Sequence, residues 1–475
     1  MEPRSPRLSR RGLVFAALLV CLTGPVRADD WPMWGGTPDR NMTSTEVGLP
    51  TAWDIGDGTS VKWAVALGSS SYGNPVVADG KVFVGTNNDV PRDPAVDGDR
   101  GIVMAFRESD GAFLWQMVHD KLATGEENDW PYQGVCSSPT VVGDRLYYVS
   151  NQGEVVALDT EGFLDGEDDG TVTDEALATD SDADVVWRYD MIGELGVFPH
   201  NMTSSAPSVH GDLVIVNTSN GTNEEGYVVA PEAPDLIALN RVTGGLVWQA
   251  APVGEWLLHG QWSSPAVAEI DGVPQVVIGQ GDGWVRGYGV EDGTLLWEFD
   301  TNPIEAEWPA TRNNVIATPV VWNNRVYVAN GQDPENGEGE GRLHAIDATL
   351  RGDISETGGV WQFDEIRRSL TTVAIADGLL YVADFSGYVR CLDAGTGEEL
   401  WVHDTFAAIW GSPLVADGKV YLGDEDGDVV VLRAGHELEV LAENSLGSPM
   451  YGAPIAANGV LYINTVTELY ALAVE

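Results

Sequence analysis

The chain has 475 residues, of which 43% are hydrophobic, and carries a formal net charge of −48 at pH 7. Such a charge repels DNA, RNA and anionic lipid, so these partners are not expected. The 56 glycines favour a turn-rich all-β protein, and the length suits either several domains or one closed repeat architecture.

Residues 1–28 are predicted to be a secretory signal peptide. Four arginines precede the apolar run from Gly12 to Leu22, and cleavage is expected after Ala28. Because Arg10 and Arg11 are adjacent, export by the twin-arginine route stays open as an alternative to the general secretory route. Without this segment the net charge becomes −52, because five arginines and one glutamate are removed. No later apolar run could span a bilayer, so we expect an exported monomer of the periplasm or the extracellular space.

One motif recurs along the rest of the chain, and its clearest copy is residues 410–432. This copy predicts three strands joined by tight turns at Asp417-Gly418 and Asp426-Gly427, since both residue types tolerate positive φ. The residues that open the eight copies are Pro75, Pro139, Pro207, Pro265, Pro319, Val373, Pro413 and Pro454. The shortest spacing, from Val373 to Pro413, is 40 residues. This period, with several short strands in each unit, indicates the blades of a β-propeller.

A tryptophan near the end of most copies can pack against the neighbouring blade. These residues are Trp115, Trp187, Trp248, Trp297, Trp361 and Trp401, with Leu441 in the seventh copy. The eighth copy ends before its fourth strand, and residues 61–67 are predicted to supply that strand and close the ring. The sequence therefore predicts an N-terminal extension at 29–59 and an all-β, eight-bladed propeller of four-stranded antiparallel blades at 60–475.

Insertions enlarge one face of this propeller more than the other. With strands labelled A to D from the axis outward, the B–C and D–A connections share one face. Residues 87–100, 219–235 and 332–341 are predicted B–C insertions, and residues 116–135, 252–262 and 300–313 are long D–A loops. Only 160–184 and 348–358 enlarge the opposite face. Because function usually lies in elaborated loops on a rigid scaffold, the first face is the candidate binding surface.

The strand, glycine turn and tryptophan of each copy resemble the tryptophan-docking repeats of the pyrroloquinoline quinone (PQQ) propeller superfamily. The resemblance runs from about Trp31 to the C-terminus, and the segment from Trp31 to Trp34 is similar in style to uncharacterised secreted members. The superfamily includes quinoprotein alcohol dehydrogenases and the non-catalytic propeller lipoprotein of the outer-membrane barrel-assembly machinery. The resemblance implies a fold and says little about chemistry.

The D–A loops are expected to bring cationic and aromatic side chains to the axial mouth. Three arginines and two histidines at one chamber of so acidic a chain predict an anionic or a polar, ring-bearing ligand. Alternatively, Arg367 and Arg368 pair with Asp364 and Glu365 while the aromatic rings plug the channel. The candidate binding residues are His200, Asn201, His259, Trp262, Arg312, Asn313, Arg367, Arg368 and Trp410.

The resemblance also implies a possible cofactor. A quinoprotein dehydrogenase would hold PQQ in the axial chamber, with Ca²⁺ bound by carboxylate and amide oxygens beside a carboxylate base. Such enzymes typically carry a disulfide between adjacent cysteines over the cofactor, and this chain has no adjacent cysteines. PQQ is itself a tricarboxylate, however, so a cationic mouth keeps a PQQ-dependent dehydrogenase with a divergent site open as the alternative function.

Two further features have competing interpretations. Asp165, Glu167 and Asp169 resemble a Ca²⁺ loop, although Ala176 stands where such a loop has its final glutamate. Cys136 and Cys391 lie in different predicted blades, so we expect two buried thiols and no disulfide. The sequence as a whole favours a binding or scaffolding module for a protein partner or a small anionic or polar ligand. No cofactor is firmly implied, while PQQ and Ca²⁺ stay open.

Overall fold

The computed structural model describes residue 1 and residues 29–173, 175–332, 334 and 340–474. The predicted signal peptide lies outside the described residues except for Met1, and so does part of the predicted insertion at 332–341. Eight antiparallel four-stranded sheets form a ring, which confirms the predicted eight-bladed propeller. Within the described part of the chain, no helix is both long and apolar enough to cross a bilayer.

The first four blades follow one another along the chain, each with its innermost strand first. Blade 1 consists of β2 (Val76–Ala78), β3 (Lys81–Asn87), β4 (Gly101–Arg107) and β5 (Phe113–His119). Blade 2 consists of β6 (Thr140–Val142), β7 (Arg145–Val149), β8 (Glu154–Asp159) and β9 (Val185–Asp190). Blade 3 consists of β10 (Ser208–His210), β11 (Leu213–Asn217), β12 (Leu236–Asn240) and β13 (Leu246–Ala250). Blade 4 consists of β14 (Ala266–Ile270), β15 (Val273–Gly279), β16 (Trp284–Gly289) and β17 (Leu295–Asp300).

The last four blades repeat this order, and the eighth borrows its outer strand from the start of the propeller. Blade 5 consists of β18 (Val320–Trp322), β19 (Arg325–Asn330), β20 (Arg342–Asp347) and β22 (Gly359–Phe363), and β21 (Gly352–Asp353) adds in parallel to β17 of blade 4. Blade 6 consists of β23 (Ala374–Ala376), β24 (Leu379–Ala383), β25 (Tyr388–Asp393) and β26 (Glu399–Asp404). Blade 7 consists of β27 (Leu414–Ala416), β28 (Lys419–Gly423), β29 (Asp428–Arg433) and β30 (Val440–Ser445). Blade 8 consists of β31 (Ile455–Ala457), β32 (Val460–Asn464), β33 (Glu468–Leu472) and β1 (Val61–Ala66).

In the described part of the chain, helical structure is confined to short pieces of the connections. The α-helix α1 spans Met191–Leu195, and 3₁₀ turns span Gly125–Glu127, Gly162–Asp165 and Gly254–Trp256. The strand bounds place the long B–C, D–A and C–D connections where the sequence predicted them. The elaborated D–A and B–C connections therefore share the face that holds the axial mouth.

The hairpins of blade 7 explain why the repeat contains Asp-Gly pairs. Asp417 and Gly418 have φ values of 51° and 67°, as a two-residue hairpin turn requires. In the second turn, Asp424 Oδ1 accepts hydrogen bonds from the backbone N–H groups of Asp426 and Asp428 at 3.1 and 3.0 Å. These aspartates therefore act as turn residues, as the repeat predicts.

The repeated tryptophans join neighbouring blades through their indole N–H groups. Five of them, together with Trp63 of β1, donate to a backbone carbonyl in the C–D connection of the next blade, at 2.9 to 3.1 Å: Trp63 to Glu108, Trp115 to Thr160, Trp187 to Arg241, Trp248 to Val290, Trp361 to Ala394 and Trp401 to Gly435. The exception is Trp297, whose indole donates to Gln275 Oε1 in its own blade at 2.8 Å. A glycine of the same turn lies against the ring, and a Cβ at Gly244 would come within 2.7 Å of Trp187. The glycine turn and the tryptophan are thus one structural unit.

The first strand closes the ring as predicted. Strand β1 pairs antiparallel with β33, and Trp63 lies opposite Ala471. At the junction of blades 7 and 8, Leu441 stands at the tryptophan position, and residues 49–53 of the extension fill this place. Tyr421 donates from its hydroxyl to the carbonyl of Pro50 at 3.1 Å, and the backbone N–H of Trp53 donates to Asn444 Oδ1 at 3.2 Å.

Residues 29–44 of the extension contact the innermost strand of every blade. Backbone hydrogen bonds of 2.7 to 3.1 Å join Trp31 to Val77, Pro32 to Val141, Pro38 to Val267, Asp39 to Val321 and Met42 to Val415. Side-chain hydrogen bonds reach the innermost strands of the other three blades: Asn41 bonds Ile375, Ser44 bonds Ala456, and Arg40 bonds Ser208. The extension therefore satisfies the inner edges of the blades, which would otherwise present unpaired backbone groups to the channel. This arrangement was not predicted from the sequence.

Candidate functional site

A cavity of about 370 Å³, here called the axial chamber, lies on the propeller axis. Each copy of the motif contributes one residue to its wall, the residue three positions before the opening residue. These residues are Tyr72, Cys136, Ser204, Trp262, Ile316, Leu370, Trp410 and Tyr451. Trp34 of the extension also lines it, and the extension bonds the innermost strands that follow this wall in the chain. The extension thus forms the floor of the chamber.

The aromatic rings of the chamber support one another. Tyr72 and Tyr451 stack with ring centroids 4.7 Å apart and an interplanar angle of 23°. Trp410 meets Tyr451 edge-on at 5.2 Å and Phe385 edge-on at 5.0 Å. Burial is the main cause that raises the pKa of the Tyr72 and Tyr451 hydroxyls above their ordinary value, so both phenols stay neutral.

Uncharged polar side chains stand one residue before the opening residue in six copies, and Ala206 and Ala453 hold this position in the other two. Asn74 N–H donates to Ser138 Oγ at 3.0 Å, Ala206 N–H to Ser264 Oγ at 2.9 Å, Ser264 N–H to Thr318 Oγ1 at 3.2 Å and Thr372 N–H to Ser412 Oγ at 2.9 Å. Each bond joins a blade to the next one. Among the described residues, the chamber lining contains no Asp, Glu, His, Lys or Arg side chain. The chamber is therefore an uncharged site with aromatic, hydroxyl and amide groups.

The structure places six of the nine predicted binding residues in two neighbouring cavities. Asn201, Trp262 and Trp410 line the axial chamber. His200, His259 and Arg312 line a second cavity of about 490 Å³, to which Asn201 also belongs. Asn313, Arg367 and Arg368 are not among the described lining residues of either cavity. The two histidines and Arg312 thus line a different cavity from Trp262 and Trp410, although both histidine rings contact Trp262.

In the second cavity, His200 and His259 lie against each other with ring centroids 3.8 Å apart. His200 Nδ1 lies 2.6 Å from the carbonyl of Thr222, so this nitrogen carries the proton and donates it. Burial, followed by the neighbouring His200, lowers the pKa of His259 to about 4. His259 is therefore neutral at physiological pH and adds no positive charge to the cavity.

The predicted arginines have partners within the fold. Arg312 Nη2 lies 2.7 Å from Asp300 Oδ1 and donates to the carbonyl of Asp282 at 3.3 Å. Arg368 places its guanidinium carbon 4.6 Å from the centre of the Phe385 ring and donates from Nη1 to the carbonyl of Pro334 at 3.2 Å. These contacts hold loops around the mouth, and Phe385 in turn contacts Trp410.

The remaining candidates also hold connections together. Asn313 Nδ2 donates to the carbonyl of Glu340 at 2.5 Å, which ties a D–A loop to a B–C insertion. Arg367 donates from its backbone N–H to Asp384 Oδ2 at 3.3 Å. Asp364, one of the acidic partners considered for the paired arginines, lies 3.4 Å from Arg342 Nε.

Large apolar side chains are exposed on the same elaborated face. Trp256 and Trp308, from two successive D–A loops, are 54% and 38% exposed and meet edge-on with ring centroids 5.4 Å apart. Ile304 and Phe406, also in D–A loops, are 96% and 89% exposed. Exposed aromatic and apolar groups of this kind mark surfaces that bind other proteins.

The sequence-predicted Ca²⁺ loop is not brought together by the structure. Asp165 accepts a hydrogen bond from Glu167 N–H at 2.9 Å, and Asp169 lies 3.3 Å from Arg145. The group of carboxylates that does converge among the described residues consists of Asp168, Glu175 and Asp184. Asp165, Glu167 and Asp169 therefore stay a prediction from the sequence, and the converging group is a different set of acids from the same insertion.

The axial chamber does not fit PQQ together with Ca²⁺. A tricarboxylate needs cationic partners and Ca²⁺ needs carboxylate oxygens, whereas the described lining offers neither. Cys136, the cysteine of the lining, and Cys391 in the core are both free, as predicted. Burial raises the pKa of both thiols to about 12, so they stay protonated.

Comparison with known proteins adds a family to this geometry. A family model described as outer membrane protein assembly factor BamB matches residues 88–162, 133–250, 170–349 and 339–437. The outer membrane protein assembly factor BamB of Moranella endobia (strain PCIT) is 24% identical over 348 residues, which cover 71% of this chain and 70% of the relative. The protein of the same name from Yersinia pestis is 25% identical over 327 residues, which cover 63% of this chain and 71% of the relative.

Solved structures share the architecture at lower identity. The crystal structure of BamB from Moraxella catarrhalis is 17% identical, covers 87% of this chain and 99% of its own, and has a TM-score of 0.59. A europium-containing methanol dehydrogenase is 13% identical, covers 94% of this chain and 98% of its own, and has a TM-score of 0.67. At such identities the likeness is one of fold alone.

Proposed function

Because the chain belongs to the family described as outer membrane protein assembly factor BamB, we propose that it is an exported binding module and not a quinoprotein dehydrogenase. The axial chamber is its ligand site, and the periplasm or the extracellular space is where it acts. The observation that carries the proposal is the lining of the chamber, which combines stacked aromatic rings with hydroxyl and amide groups and has no charged side chain among the described residues.

The ligand class follows from this chemistry. A sugar ring has apolar C–H faces that pack on indole and phenol rings, and its hydroxyl groups exchange hydrogen bonds with amide and hydroxyl side chains. The volume of about 370 Å³ lies at the lower end of small-molecule sites. A neutral saccharide of one or two rings therefore fits this chamber better than the anion that the sequence suggested.

Isothermal titration calorimetry of the mature protein tests the proposal. The probes are glucose, N-acetylglucosamine, maltose and cellobiose, with citrate as the tricarboxylate comparison. We expect at least one saccharide to bind with a stoichiometry of one, and Trp410→Ala or Trp262→Ala to weaken it tenfold or more. Trp256→Ala is the matched control, since Trp256 lies on the same face outside the chamber, and it should bind as the wild type does. Binding of citrate alone, or of none of these probes, would overturn the chamber assignment.

A second candidate function is protein docking on the elaborated face. The exposed pair Trp256 and Trp308 favours it, and the relatives are named as assembly factors. A photo-crosslinking residue at position 256 should capture a discrete protein in cells of the source organism. The same residue at position 247, exposed on the outer strand β13, is the control. Equal labelling from both positions would count against docking at this face.

A further inference from the structure

We propose that Asp168, Glu175 and Asp184 bind a Ca²⁺ ion on the face opposite the axial mouth. Each side chain offers a carboxylate oxygen, and these oxygens lie within 4.8 Å of one another. Asp168 and Glu175 belong to the insertion at 160–184, and Asp184 immediately precedes strand β9. The site would exist whatever the axial chamber binds.

The strongest sign of a ligand site is Asp184. Its side chain is 1% exposed, and only Oδ2 has a hydrogen-bond partner, the backbone N–H of Asp169 at 2.7 Å. Oδ1 is buried without a hydrogen-bond partner in the described structure. A buried carboxylate oxygen left unpaired is costly to the fold, and a cation held between the three carboxylates would supply its partner.

No described arginine or lysine forms an ion pair with any of the three carboxylates. Arg145 of the same blade is engaged by Asp159 and Asp169. Glu175 accepts one backbone hydrogen bond, from Val185 N–H at 3.2 Å, and its carboxylate keeps further lone pairs for a metal. The cluster therefore carries a local charge that the protein itself leaves uncompensated.

The donor set selects the ion. It consists of oxygen atoms alone, without the imidazole or thiolate groups that favour Zn²⁺ and other transition metals. Ca²⁺ accepts six to eight oxygen ligands in a flexible geometry, so three carboxylates and solvent can complete its shell. Mg²⁺ demands a tighter octahedral arrangement and gives up its water less readily, and we expect it to bind more weakly here.

The ion would fasten the insertion to its own blade and to its neighbour. Thr171 N–H donates to the carbonyl of Val186 at 3.0 Å, so the tip of the insertion lies against β9. Further along, Gln116 N–H of β5 donates to the carbonyl of Ser181 at 3.0 Å, which extends blade 1. Ca²⁺ binding should therefore order the insertion and stabilise the junction between blades 1 and 2.

Terbium luminescence tests the site directly, because Tb³⁺ replaces Ca²⁺ and Trp187 follows Asp184 by three residues. The mature protein, treated with chelator, should bind one Tb³⁺ that Ca²⁺ displaces and excess Mg²⁺ does not. Asp168→Asn and Glu175→Gln, which alter side chains that are not fully buried, should each weaken binding at least tenfold. In wild-type protein, added Ca²⁺ should also raise the melting temperature, and this rise should be lost in both variants.

The matched controls are Asp165→Asn and Glu167→Gln, which make the same change of charge in the same insertion. Both should bind Tb³⁺ and Ca²⁺ as the wild type does. The proposal is overturned if wild-type protein shows no saturable Tb³⁺ binding, or if the controls weaken binding as much as Asp168→Asn and Glu175→Gln. Displacement of Tb³⁺ by Mg²⁺ and Ca²⁺ at equal concentrations would likewise overturn it.

Discussion

Arg40 donates a 2.9 Å hydrogen bond from Nε to the carbonyl of Pro265, although 225 residues separate them in the chain. Its Nη2 also bonds the carbonyl of Pro207 at 2.8 Å, and its Nη1 bonds the carbonyl of Trp34 at 2.7 Å. The side chain is fully buried, and burial lowers the pKa of Arg40 to about 9. A buried charge held by carbonyl groups thus fixes the floor of the chamber to two blades.

Replacement of Arg40 by alanine should therefore be costly. The variant removes the Arg40 hydrogen bonds to the carbonyl groups of Trp34 and Ala206, for which no other donor is seen among the described residues, and leaves a cavity in place of the buried side chain. We expect the free energy of unfolding to fall by at least about 3 kcal/mol. Urea denaturation followed by circular dichroism measures the change. Arg107→Ala removes an exposed arginine that pairs with Asp110 and should change the stability by less than about 1 kcal/mol. Equal stability losses in the two variants would contradict this role for Arg40.

The docking of tryptophan on glycine predicts a pronounced difference between two glycines of blade 3. Gly244→Ala should be destabilised by about 1–2 kcal/mol from its φ of 71° and by about 1–3 kcal/mol more, because its Cβ would overlap Trp187. Gly211→Ala has a φ of 56° and open space around the added Cβ, so only the first cost applies. Chemical denaturation of both variants measures the difference, and indistinguishable midpoints would argue against the docking contact.

Acid should destabilise the propeller through its buried histidines. Burial lowers the pKa of His344 to about 4, and its Nε2 donates to the carbonyl of Thr301 at 3.0 Å. Because the unfolded chain binds the proton more readily, this contribution to stability is complete above pH 6.5 and is lost as the pH falls to about 4. The loss amounts to about 3 kcal/mol.

His344→Gln keeps a donor and cannot be protonated, so its stability should fall less between pH 6.5 and 4 than that of the wild type. His436→Gln alters an exposed histidine and is the control. Unfolding free energies measured by urea denaturation at several pH values give the comparison. Parallel curves for wild type and His344→Gln would refute the assignment.

Because β1 closes the ring, deletion of β1 should destabilise the whole propeller. Deletion of residues 61–66 exposes the edge of β33 and removes the docking of Trp63 on blade 1. We expect an insoluble protein or one whose thermal unfolding is no longer cooperative, as measured by scanning calorimetry. A soluble deletion variant that unfolds in one sharp transition would show that closure is dispensable.

The blades could be predicted from the sequence because their signals are local. The opening proline, the Asp-Gly turn and the tryptophan each impose a fixed conformation or contact within about 40 residues. The path of the extension could not be predicted, since most of its bonds to the inner strands are made by backbone groups of a segment without repeats. Its one distinctive side chain, Arg40, acts through carbonyls that no sequence pattern marks.

Only part of the wall of the axial chamber was predicted from the sequence. Trp262 and Trp410 stood out as tryptophans in D–A loops, whereas Tyr72 was overlooked, although all three lie three residues before the residue that opens a copy. Alignment of the copies on that residue would have identified the wall. The ion pair of Arg312 with Asp300, at the end of strand β17, was not identified from the sequence. Charge pairing of this kind depends on the fold and is not visible in the composition.

The central claim is that the axial chamber holds an uncharged ligand and no quinone cofactor. Reconstitution of the mature protein with PQQ and Ca²⁺, followed by gel filtration and absorbance measurement of the retained quinone, tests it most directly. The uncharged lining predicts that no stoichiometric PQQ is retained and that an artificial dye is not reduced when alcohols are added. One PQQ retained per chain, together with alcohol-dependent dye reduction, would contradict this claim and favour the alternative function, a PQQ-dependent dehydrogenase.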